Sequence, residues 1–255
     1  MIVTDTHTHL YSEAFDADRK EIIERAIDNK IERMFVPAID STYTQAMHDL
    51  EAAYPEHIFL MAGVHPTHVK ENYKEELLHV EELLVKRSYV AIGEIGMDLY
   101  WDKSFLKEQQ EAFRFQIQLA KKYKLPIVIH CRDAFDETFE ILEQEKGQDL
   151  FGIFHCFTGT YEQAQQALSY NMKLGIGGVV TFKNGKIDQF INKIDLKRIV
   201  LETDSPYLAP KPYRGKRNET SYIIKVAEKL AELYGVSLQE IVTVTTENSK
   251  QVFGV

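Results

Sequence analysis

Short runs of apolar, β-branched residues recur along the chain, each followed by a stretch whose apolar positions return every three or four residues. IVTDTH, RMFVPAI, IFLMAGVHP, VAIGEIG, PIVIHC, GIFHCF, MKLGIGG and RIVLETD read as eight strands. Between them AFDADRKEIIERAIDN, SFLKEQQEAFRFQIQLAKKY and DAFDETFEILEQ carry the spacing of amphipathic helices. Strands alternating with helices predict parallel pairing through right-handed crossovers. Eight such units in about 250 residues predict a closed (β/α)8 TIM barrel of the α/β class, with an open doubly wound sheet as the alternative. Residues 1–255 are read as one barrel domain. The helical patterns NETSYIIKVAEKLAELYG and SLQEIVTVTTENSKQVFG, after the eighth strand, are expected to cover its outside.

Of the 255 residues 44% are hydrophobic and 27% charged, enough for a packed core and unlike disordered, fibrous or small stapled chains. No apolar stretch approaches the roughly 20 residues of a membrane span, and the opening residues lack a secretory pattern. A cytoplasmic protein is expected. Two cysteines, Cys131 and Cys156, cannot make a disulfide framework and are expected as free core thiols. A net charge of −9 argues against broad attraction to nucleic acid. Acids gathered around divalent cations would add to that count while leaving a locally positive site.

The nine histidines divide by position. His7, His9, His65, His130 and His155 fall at or just beyond the carboxyl ends of predicted strands, whereas His48, His57, His68 and His79 fall on helices or loops and read as ordinary surface residues. In an extended DTHTHL the side chains of Asp5, His7 and His9 point the same way. A parallel barrel collects the carboxyl ends of its strands on one face, where active sites of this architecture sit. Glu94 ends VAIGE; Glu202 and Asp204 end RIVLETD, facing alike if the strand continues, although Asp204 before Ser205 and Pro206 is also a plausible helix cap. His7, His9, Glu94, His130, His155 and Asp204 make six donors, more than one catalytic zinc with an open position uses. Two divalent ions roughly 3.5–4 Å apart, bridged by Glu94, would share them. Imidazole-rich ligation favours zinc, cobalt, nickel, iron or manganese over calcium or magnesium.

The motifs DTHTHL, AGVHP, AIGEIGMD, PIVIHCRDA, IFHCFTG, VLETDSPYLAP and ENSKQVFG, in this order and across essentially the whole chain, resemble those of TatD-family metal-dependent hydrolases, part of the wider amidohydrolase-like group. The resemblance implies one ion held by His7, His9, Glu94 and Asp204 and another by Glu94, His130 and His155. It also implies a magnesium- or manganese-stimulated deoxyribonuclease acting on single-stranded ends, so DNA or another phosphodiester is the expected transient partner. With metals activating a water, Asp204 would take its proton. Glu202 would orient neighbouring groups or form a structural salt bridge. His65 would contact the scissile phosphate or protonate the leaving oxygen, or simply be fixed in a turn by Pro66. Arg132 would hold a phosphate oxygen or pair with Asp136. In SPYLAPKPYRGKRNET the cations Lys211, Arg214, Lys216 and Arg217 interleave with Tyr207 and Tyr213, a composition shared by single-stranded nucleic-acid sites and solvated loops. The rival readings are hydrolysis of another ester or amide, such as the acyl bond of a D-aminoacyl-tRNA, and a metal-stabilised barrel that only binds a partner.

Overall fold

Eight short segments rich in Ile, Val, Phe and Met pair side by side in chain order. The computed structural model describes residues 2–255. The strands are β1 (Val3–Asp5), β2 (Ile31–Val36), β3 (Ile58–Ala62), β4 (Ala91–Asp98), β5 (Ile127–Arg132), β6 (Gly152–Phe154), β7 (Met172–Ile176) and β8 (Ile199–Leu201). They form one sheet ordered β1 to β8 in which every neighbouring pair is parallel. Its two edges meet just past β1 and β8. Thr6 N–H donates to Leu201 O (3.0 Å), Asp204 N–H to His7 O (2.9 Å) and His9 N–H to Ser205 O (2.8 Å). This is a (β/α)8 barrel, not an open sheet.

The helices are α1 (Arg19–Asp28), α2 (Thr44–Ala53), α3 (Tyr73–Lys86), α4 (Leu106–Tyr123), α5 (Phe135–Glu145), α6 (Tyr161–Ser169), α7 (Ile223–Tyr234) and α8 (Leu238–Phe253). Among the described residues none is long and apolar enough to cross a membrane. Between β7 and β8 the chain makes only short 3₁₀ turns, at Gly178–Thr181, Ile187–Gln189, Ile191–Lys193 and Leu196–Arg198. The β-branched run Val179, Val180, Thr181 and the turn pair Asn184-Gly185 explain why no α-helix propagates there.

Strand alternation divides the core. One set of side chains faces the helices; the other, Phe35, Met61, Ala91, Val128, Ile153 and Val200, forms a separate cluster with one residue from each of six strands. Val252 and Phe253 join that cluster, and the Phe253 ring stacks on Phe35 at 4.0 Å. The last helix therefore does more than cover the outside: its end packs into the cluster formed by the strands. Burying such a ring contributes roughly 1.5–3 kcal/mol. Asn248 ties α8 to the approach to β8 by donating to Leu196 O (2.8 Å) and Ile199 O (2.7 Å).

β4 and β5 approach most closely at Gly96, whose φ is +132° and where an added Cβ would lie 2.1 Å from His130 O. A side chain there would both strain the backbone and push the strands apart. Gly96→Ala is expected to lower unfolding stability by about 2–4 kcal/mol, read as a reduced urea midpoint. An unchanged midpoint would contradict this packing.

Candidate metal centre

The alternation that fills the barrel interior continues past the carboxyl ends of the strands. Two residues beyond Val128, Ile153 and Val200 come His130, His155 and Glu202, and four beyond Met61 comes His65. Asp5, His7 and His9 follow the same step after β1. Glu94 enters differently. In the β4–β5 register Gly93 opposes Val128 and Ile95 opposes Ile129, so Glu94 is an extra residue, a bulge of the kind that redirects a side chain. Glu94 does not end its strand, since β4 runs on to Asp98. Nor do Glu202 and Asp204 share a strand face, because β8 stops at Leu201 and Asp204 has a left-handed backbone with φ of 57°.

All six expected donors nevertheless converge. The Glu94 carboxylate is buried with its oxygens divided between two groups of imidazoles. Oε2 lies 3.1 Å from His7 Nε2 and 3.7 Å from His9 Nε2. Oε1 lies 2.8 Å from His130 Nδ1, 3.2 Å from His65 Nε2 and 3.8 Å from His155 Nε2. Asp204 Oδ1 completes the ring at 3.4 Å from His9 Nε2, 3.7 Å from His155 Nε2 and 3.9 Å from His7 Nε2. The His7 and His155 rings stack at 3.4 Å. His65 stands as near Glu94 as the expected ligands do, while His155 faces Asp204 and His7 more than it faces His130.

Partners on the far side of each ring decide which nitrogen looks inward. Glu202 Oε1 sits 3.0 Å from His155 Nδ1 and accepts the Cys156 N–H (2.6 Å), and Asp98 Oδ2 lies 2.8 Å from His130 Nε2. In the neutral ring, an acid on one nitrogen leaves the other with its lone pair free, the usual support for a metal-binding histidine. His9 Nδ1 meets Tyr11 OH at 2.9 Å. At His65 the order is reversed: the Thr67 N–H donates to Nδ1 (3.1 Å), so in the neutral ring the proton sits on Nε2, facing Glu94. Glu202 thus faces His155 as an ion pair. Its Oε2 has no partner and lies where a Cβ on Gly175 would be, 2.2 Å away, so glycine is what leaves room for this acid.

The electrostatics are those of a site short of positive charge. Burial opposes the Glu94 anion, yet His65, His7 and His155 hold it well below the ordinary glutamate range. Asp204 is lowered against its own burial by His155, His9 and His7. Burial opposes charge on His130 and His155, but Asp98 and Glu94 carry the first up to about 9, and Glu202, Glu94 and Asp204 carry the second up to about 10. Burial and His155 push His7 down to about 3, and burial lifts Asp5 to about 7 although it accepts Thr203 Oγ1–H (2.6 Å). Among the described residues no lysine or arginine pairs with Glu94, Glu202 or Asp204; only histidines do. Buried carboxylates and imidazoles in close groups of three, with no permanent cation, fit divalent metal ions.

His9, His65, Glu94, His130, His155 and Asp204 line a cavity of about 680 Å³. A groove of about 750 Å³ beside Arg19 and Asp49 is lined by no histidine or cysteine. Cys131 and Cys156, expected as free core thiols, are free and half-buried; both border the cavity, and Cys131 also packs against the core. His68, expected as an ordinary surface residue, also lines it and pairs with Asp40 at 2.6 Å. Arg132 forms no salt bridge with Asp136; its guanidinium lies over the Tyr100 ring at 3.8 Å. Tyr207 reaches the cavity, but Lys211 and Arg214 are not among its lining residues. Arg214 rests over Phe182 (4.3 Å), Tyr213 stacks on Tyr222 (3.9 Å) and Arg217 grips Asp18. Asp98 and Trp101 were not singled out from the sequence. Asp98 has a readable signal, lying four residues beyond Glu94 in the same extended run.

Residues 4–254 match the family described as TatD related DNase. The chain is 45% identical to the uncharacterized metal-dependent hydrolase YabD of Bacillus subtilis, over 98% of each protein. It is 30% identical to the 3'-5' ssDNA/RNA exonuclease TatD of Pantoea vagans, again over 98% of each. The crystal structure of YJJV, a TatD homolog from Escherichia coli, superposes with a TM-score of 0.93 at 28% identity, covering 99% of this chain and 98% of that one.

Asp98 carries a direct test of how His130 is held. Asp98→Asn is expected to weaken divalent-metal binding by about 10–100-fold in isothermal titration calorimetry with manganese. Affinity equal to that of the parent would separate Asp98 from the metal centre.

Proposed function

The chain belongs to the TatD family of metal-dependent hydrolases, and from that premise we propose that it is a deoxyribonuclease with a binuclear divalent centre, hydrolysing phosphodiester bonds of single-stranded DNA. The observation that carries this reading is the division of the Glu94 carboxylate, one oxygen toward His7 and His9, the other toward His130, His65 and His155. A carboxylate shared between two imidazole groups is what a metal-bridging ligand requires. The Pantoea relative, named for action on single-stranded DNA and RNA, supports a phosphodiester substrate. Arg132 and Tyr207 in the cavity wall agree with it: guanidinium pairs with phosphate oxygens and an aromatic face accepts a base.

His7, His9, Glu94 and Asp204 would hold one ion and Glu94, His130 and His155 the other. When bound, such ions supply Lewis acidity, bringing the pKa of water toward about 7 and offsetting phosphate charge. The chain's own residues then divide the remaining work. Asp204 is the proton acceptor: its side chain is 14% exposed, against 3% for Glu94 and none for Glu202, so it is the one of these acids that water reaches. Its lowered pKa keeps it anionic and ready to accept. His65 donates from Nε2, toward a phosphate oxygen or the leaving oxygen, because Thr67 occupies Nδ1. Glu202 and Asp98 are positioning residues that hold His155 and His130. Arg132, braced on Tyr100, steadies the phosphate.

The purified protein with magnesium or manganese is expected to shorten an end-labelled single-stranded oligodeoxynucleotide faster than its duplex, and to stop when a chelator is added. Asp204→Asn should lower kcat by about 10²–10⁴-fold while elemental analysis still finds most of the metal. Cleavage of acylated RNA or a simple ester without any phosphodiester cleavage would overturn the assignment, and undiminished turnover in Asp204→Asn would remove Asp204 as the proton acceptor.

A further inference from the structure

The chain contains one tryptophan, and it is left in solvent. Trp101 is 69% exposed and its neighbour Tyr100 53%, an unusual place for two large aromatic rings unless something covers them. They follow β4 in a loop that is held firmly. Asp98 Oδ1 accepts the N–H groups of Tyr100 (3.0 Å) and Trp101 (3.2 Å), while its other oxygen faces His130. Farther along, Asp102 accepts the Ser104 N–H (2.8 Å) and pairs with Lys70 (3.2 Å). The Tyr100 and Trp101 rings meet edge to face at 5.0 Å, and the Arg132 guanidinium lies over both, 3.8 Å and 5.3 Å from their centroids.

Across the mouth stands a third exposed ring. Tyr207, 54% exposed, follows β8 and packs its edge against His9, with ring centroids 5.9 Å apart. In a closed barrel of eight strands, β4 and β8 are four strands apart in either direction, so their loops flank the mouth from opposite sides. Trp101, Arg132 and Tyr207 all line the cavity that holds Glu94 and Asp204. The order across that cavity is therefore ring, guanidinium, candidate metal centre, ring.

We propose that Trp101 and Tyr207 are stacking platforms for two unpaired bases on either side of the phosphodiester at the metal centre, with Arg132, held against Tyr100, on the intervening backbone. This rests on the phosphodiesterase reading for the substrate's chemistry. Every base offers a π face, so such platforms favour single strands without demanding a sequence. In a duplex both faces of an internal base are already covered, and extruding one costs a few kcal/mol. The site thereby gains its preference for unpaired chain from two side chains that do no chemistry. Asp98 places the Trp101 loop and His130 with the same carboxylate, so the platform and the centre keep one register.

Because Trp101 is the sole tryptophan, its emission reports this site without a label. With the magnesium-loaded protein, a phosphorothioate-linked single-stranded oligothymidylate is expected to quench that emission saturably, and the same backbone carrying abasic sites is expected to leave it nearly unchanged. In steady-state assays on single-stranded DNA, Trp101→Ala is expected to raise KM by about tenfold or more with kcat changed far less, and Trp101→Phe to recover most of the loss. Equal quenching by the abasic chain, or an unchanged KM in Trp101→Ala, would overturn the proposal. The titration needs no turnover, so base-dependent quenching in a protein that cleaves no phosphodiester would uphold the platform while removing the nuclease reading.

Discussion

One buried carboxylate sets the terms for the mouth of this barrel. Among the described residues Glu94 has no lysine or arginine to neutralise it, and it lies within 3.8 Å of five imidazoles. A buried anion of this kind is costly unless it is paired. The bulge in β4 delivers it to the centre, two residues before β4 and β5 come close at Gly96. Shifting Glu94 by one residue along a regular strand would turn it away from His7 and His130.

Around Glu94 the histidines are not free to turn. Glu202 holds His155, Asp98 holds His130, Thr67 holds His65 and Tyr11 meets His9. These outer groups are what distinguish the roles of otherwise similar rings. In the neutral rings the far-side partners turn a lone pair of His155 and His130 inward, as metal ligation would require, whereas that of His65 turns a proton inward, as donation to a substrate would require. The same logic extends outward through Asp98, which fixes the loop bearing Tyr100 and Trp101, and through Tyr100, which braces Arg132. The chemical centre and the aromatic rim are thus parts of one hydrogen-bonded unit.

Much of this was legible in the chain. Short apolar, β-branched runs located all eight strands, and His7, His9, His65, His130 and His155 at their ends pointed to one face, because a parallel barrel has only one carboxyl face. What period-two reasoning cannot see is a change of register: it ended β4 at Glu94 and extended β8 to Asp204, where the structure has a bulge and a left-handed residue. The surroundings of the basic loop were hidden for another reason. Composition reports that Lys211, Arg214 and Arg217 follow β8 in sequence, but the partners of Arg214 and Arg217, Phe182 and Asp18, are distant in the chain. Trp101 escaped notice because a lone aromatic residue carries no periodic signal. Its meaning lies in exposure, which only the folded chain displays.

The central claim is that Glu94 draws divalent ions to this mouth, and elemental analysis of the bound metal tests it most directly. After equilibration with manganese and removal of the excess, the protein is predicted to retain about two ions per chain, and Glu94→Gln, nearly identical in shape, to retain close to none. A parent protein that emerges without metal, or a Glu94→Gln protein that holds as much as the parent, would contradict the account.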